Sequence, residues 1–178
     1  MKRVLLGCWL IVFASEAQAH RLDEYLQATR ISVATDRIDV SIDLTPGVAV
    51  ADQVLARIDR DNDGRISEAE GAAYARRVLK DIQIRLDGKV LAARLVGTSV
   101  PTLSEIRGGL GVIRIKTTAS VRLIGPGQHT FSLFNAHLPA ISVYLVNALV
   151  PKDPAIKITR QTRDELQRNY RLILGVSS

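Results

Sequence analysis

Arg37-Ile38-Asp39-Val40-Ser41-Ile42-Asp43-Leu44 alternates polar and apolar side chains without a break. Successive side chains of a strand point to opposite faces, so this run turns Ile38, Val40, Ile42 and Leu44 to a core and the charges to water. Upstream, Tyr25, Thr29, Ile31 and Val33 suggest a partner strand, with Thr35-Asp36 near the turn. Pro46-Gly47 ends the pair. Downstream, Ile82, Ile84 and Leu86 lead to Asp87-Gly88, a strong short hairpin signal, and the chain returns through Val90 to Val96. Pro101 to Gly109 reads as loop. Ile113, Ile115, Thr117, Ala119 and Val121 alternate again, and Gly125-Pro126-Gly127 turns the chain into a run from His129 to His137. Ile141 to Val150 is apolar on both faces, which suits a central, buried strand. Ile156 and Ile158 follow the Pro151/Pro154 turn. In the tail, Thr162 to Glu165 fits a capping box, whereas Tyr170, Leu172 and Leu174 alternate as a final strand. The expectation is a mainly β (α+β) fold: an antiparallel β-sandwich of about eight strands interrupted by one helix-loop-helix insertion at 48–80.

Inside that insertion Val50, Val54, Leu55 and Ile58 recur at helical spacing, and a second helical run starts at Ser67-Glu68-Ala69-Glu70 and reaches about Lys80. Between them lies Asp59 to Glu70, DRDNDGRISEAE. Calcium is a hard cation that takes six to eight oxygens, and a short loop supplies them only by folding back on itself. Asp59, Asp61 and Asp63 would point alternate carboxylates inward, and Gly64 permits the sharp bend. Arg65 would give its backbone carbonyl, Ser67 stands where a bridging water is common, and Glu70 is placed to close the site with two oxygens.

This dodecapeptide with its flanking helices resembles the EF-hand family over about Val48 to Lys80. The resemblance implies calcium as cofactor and Asp59, Asp61, Asp63, Arg65 and Glu70 as its ligands. EF-hands usually pair through the eighth loop position, here Ile66, and the sequence shows no second loop of this kind. More broadly, the start at His20-Arg21-Leu22, the alternating strands, the acidic loop and the later hairpin resemble the secreted amino-terminal domain that precedes some bacterial nickel and cobalt export permeases. That likeness implies an exported accessory domain, with an envelope protein or transporter as partner.

Lys2-Arg3, the apolar run Val4 to Ala14 and Ala17-Gln18-Ala19 have the three parts of a secretory signal peptide. The expectation is therefore a signal peptide at 1–19 and one exported domain at 20–178, periplasmic or secreted and not membrane-spanning after cleavage. Cleavage would also remove Cys8 and Trp9, the chain's one cysteine and one tryptophan. Disulfides would then be unavailable, which leaves core burial and metal as sources of stability.

The formal net charge of +6 comes from scattered basic residues, and only 4% of residues are aromatic. Neither pattern favours nucleic acid as a partner. No nucleophile signature is present, so an enzyme is not expected. The alternative function is transition-metal handling, for nickel, cobalt or copper, through the amine and imidazole of a mature amino-terminal His20, joined at most by one of His129 and His137.

Overall fold

The computed structural model describes residues 23–122 and 124–177. The stretch expected to be a signal peptide, 1–19, and His20 lie outside them. Among the described residues the order is β1 (Tyr25–Val33), β2 (Arg37–Pro46), α1 (Val48–Ile58), α2 (Glu68–Lys80), β3 (Ile82–Leu86), β4 (Lys89–Val90), β5 (Arg94–Ser99), α3 (Leu103–Arg107), β6 (Ile113–Ser120), β7 (Gly127–Asn135), β8 (Ser142–Ala148), β9 (Ile156–Arg163) and β10 (Asn169–Val176). The fold is mainly β with a helical minority, as the sequence predicts.

The strands form two five-stranded sheets, ordered β5-β6-β2-β1-β8 and β4-β3-β7-β10-β9. Their inner faces share one core, with Ile31, Ile42 and Ile115 from the first and Phe131, Leu133 and Leu172 from the second. Ile38, Val40, Ile42 and Leu44 are buried in β2. β1 pairs with β2 around the expected turn, Val33 opposite Ile38. Alternation decided these strands because each buries one face only.

Several expectations are corrected. Among the described residues ten strands occur where about eight were expected. The sheets are not wholly antiparallel, because β8 runs parallel to β1, with Tyr25 opposite Ser142 and Ile31 opposite Ala148. Nor is β8 central. It closes the edge of its sheet, turning Tyr144 and Val146 inward and leaving Leu145 42% exposed, while Val150 beyond it is 87% exposed. An apolar run cannot by itself separate a central strand from an edge one.

The Asp87-Gly88 turn does make a hairpin, but β4 is only two residues long. The chain then leaves for the opposite sheet, where β5 pairs with β6. The stretch read as loop contains α3, whose Thr102 and Glu105 form a capping box above buried Ile106. At Thr162 to Glu165 the same pattern makes no helix, because Arg163 ends β9 and Leu166 is 65% exposed. A cap stabilises a helix only where the following apolar residue has a core to enter.

The helix-loop-helix therefore bridges the sheets, leaving β2 of one and entering β3 of the other. Val50, Val54, Leu55 and Ile58 of α1 and Tyr74, Ala75 and Val78 of α2 are buried in the common core.

Candidate metal centre

Helix α1 ends where Asp59 turns extended and its N–H bonds back to Leu55 O. The aspartates then fold the chain on itself. Asp59 Oδ2 accepts from Gly64 N–H at 3.2 Å, Asp61 Oδ1 from Asp63 N–H at 3.2 Å, and Asp63 Oδ1 from Arg65 N–H at 2.8 Å. Gly64 has a φ of +79°, a left-handed conformation that an L-residue adopts only at a cost. These local bonds bring one carboxylate oxygen from each of Asp59, Asp61 and Asp63 within 4.8 Å of one another, a group able to hold a metal ion.

One oxygen in this group is out of balance. Asp59 is 8% exposed, and its Oδ1 is buried with no hydrogen-bond partner. A buried carboxylate oxygen left unpaired is costly, and a cation is one of the few groups that would compensate it. The donor set fits a hard ion, being all oxygen and anionic. An open cleft walled by Asn62 and Gly64 on one side and by Thr102, Ser104 and Arg107 on the other gives access from solvent.

Glu70 stands apart from the three aspartates. Its Oε1 accepts from Arg60 N–H at 2.7 Å, and its Oε2 accepts from Ser67 N–H at 3.0 Å and Ser67 Oγ at 2.9 Å. Ser67 Oγ in turn accepts from Glu70 N–H, which completes the capping box that starts α2. The N–H groups of Ser67 and then Arg60 hold the Glu70 carboxyl below the usual carboxylate range. Glu70 thus ties the loop's second residue to its last, and serving an ion would mean exchanging these donors for it. Ile66, the expected pairing position, packs against the core instead.

At its other end α2 enters a buried polar network that sequence reasoning missed. Tyr25 Oη lies 2.8 Å from Tyr74 Oη, Tyr74 Oη 3.1 Å from His137 Nε2, and His137 Nδ1 2.7 Å from Asp81 Oδ2. With Asp81 ionised, Nδ1 carries the proton and Nε2 accepts from Tyr74. Asn135 donates to Gln27 Oε1, and Gln27 donates to His137 O and Ser142 Oγ, which fastens β1, β7 and the approach to β8. Burial lowers the His137 pKa, and the same cause pushes Tyr74 up to about 12. The legible signal was Gln27, a polar residue on the inward face of β1.

The two histidines weighed as metal ligands use both ring nitrogens on protein partners. His129 meets Asp87 at 2.7 Å and Gly125 O at 2.9 Å, and His137 meets Asp81 and Tyr74. No protein-family model matches the chain, and no curated protein matches it.

Proposed function

We propose that the protein binds one calcium ion through Asp59, Asp61, Asp63, the Arg65 carbonyl and Glu70, and that it works as a non-enzymatic exported domain. The ion stabilises the fold and fixes α1 and α2 as a surface for an envelope partner. The unpaired, buried Asp59 Oδ1 beside two further carboxylates is the observation that carries this reading. The calcium would supply positive charge to three converging carboxylates and give Asp59 Oδ1 the partner it lacks. Glu70 would leave the Arg60 N–H to add the two-oxygen ligation that favours calcium over the smaller magnesium.

Linkage sets the size of the effect. Calcium at about ten times its dissociation constant adds about 1.4 kcal/mol to stability, which for a domain of this size raises Tm by roughly 3 to 6 °C. Melting the protein in EDTA and in calcium tests this. A calcium-dependent rise that magnesium does not reproduce is expected, and identical melting temperatures would overturn the proposal.

A further inference from the structure

The two outer sheet faces differ in their acidic residues, while among the described residues exposed cations such as Arg114 and Lys116 of β6 stand outside ion pairs on the first sheet too. On the β2 face Arg30 pairs with Asp43 at 2.9 Å, and Arg37 pairs with Asp36 at 3.1 Å and Asp39 at 3.3 Å. The strands β3, β7, β10 and β9 contain no aspartate or glutamate at all. Their outward positions nevertheless carry Arg85, Arg171, Arg160 and Lys157. Among the described residues none of these four cations is in an ion pair.

Register gathers part of this charge. Arg85 lies opposite Ser132, Ser132 opposite Arg171, and Arg171 opposite Thr162. Adjacent strands are roughly 4.8 Å apart, so the two arginines start about 10 Å apart with a serine hydroxyl between them. They line a depression of about 660 Å³. Arg85 is held in place, its Nε donating to Gln83 Oε1 at 2.8 Å and its Nη1 to Gly88 O at 3.2 Å. The acid at the rim, Asp164, is committed to Asn169, accepting from its N–H at 3.0 Å and its Nδ2 at 2.6 Å.

Two guanidiniums flanking a hydroxyl suit one oxyanion better than another. A carboxylate presents two coplanar oxygens that one fork-shaped guanidinium engages together, whereas a tetrahedral phosphate spreads its oxygens toward donors on separate strands. A phosphate has enough acceptor oxygens for two guanidiniums and the hydroxyl between them. We propose that Arg85, Ser132, Arg171 and Thr162 form a binding site for the phosphate group of a soluble ligand.

The test is titration of the full protein with glucose 6-phosphate, using glucose as the neutral control and phosphatidylglycerol vesicles as the lipid source of the same chemistry. Amide shifts of Arg85, Ser132 and Arg171 report the site. Binding of the sugar phosphate and not of glucose is expected, weakened about tenfold or more by Arg171→Gln and by Arg85→Gln. Arg30→Gln, which removes the same charge from the other sheet, should leave the affinity unchanged. Equal weakening by Arg30→Gln would reduce the effect to net charge and overturn the proposal. So would binding to vesicles alone, or sugar-phosphate binding that survives both sheet variants.

Discussion

Asp59 carries the loop's unpaired polar atom, because its Oδ1 is buried while Asp61 and Asp63 stay exposed to water. Asp59→Asn keeps the shape, removes one charge and retains an oxygen that can accept from Gly64 N–H. It should abolish calcium binding at millimolar concentration with only a small change in stability without calcium, checked by melting in EDTA. Glu70→Gln separates two roles of one side chain. A glutamine oxygen can still serve the capping box, so α2 should persist by circular dichroism, while the calcium-induced rise in Tm falls by at least half. At this scale the convergence of Asp59, Asp61 and Asp63 was readable, because it follows from spacing along a single loop. The sequence did not reveal that Glu70 hydrogen-bonds to Arg60 and Ser67, since those bonds depend on how the loop closes in space.

Helix α2 connects the acidic loop at its first turn to the Tyr74–His137–Asp81 network at its last. Its seat is tight: a Cβ added at Gly71 would meet Val100 Cγ2 at 2.9 Å. Gly71→Ala gains about 1 kcal/mol of helix propensity but overpacks the contact by about 1 to 3 kcal/mol. Net destabilisation is expected by denaturant melting, relieved when Val100→Ala is added. Tyr74→Phe leaves His137 Nε2 and the Tyr25 hydroxyl each short of a buried partner and should cost about 1 to 3 kcal/mol. Element identity was legible wherever a periodicity repeated against one buried face, as in β2, β6 and α1. Sequence pattern missed α3 and left the tail open between a capping box and the final strand that β10 forms, because whether a capping motif starts a helix depends on what lies beneath the next apolar residue. Ile106 has a core beneath it; Leu166 has solvent.

For the molecule as a whole, two histidines make opposite contributions to pH dependence. Burial depresses the His137 pKa, so its contribution is complete above the unfolded value of about 6.5 and is lost as pH falls through the folded one. The Asp87 hydrogen bond raises the His129 pKa, so its contribution is complete below about 6.5 and is lost as pH rises through the folded value. His129 is the less buried of the two, and solvent screening weakens its part. Tm should therefore fall on acidification from pH 7.5 to about pH 5.5, with a shallower slope in His137→Gln. The two-sheet body was anticipated, but the parallel β8 and the crossing from β4 to β5 were not. Pairing partners far apart in the chain leave no local trace.

Isothermal titration of calcium into the calcium-free protein tests the central claim most directly. One ion bound per chain is predicted, with binding absent in Asp59→Asn. Absence of calcium binding by the wild-type protein, or its persistence unchanged in Asp59→Asn, would contradict the account.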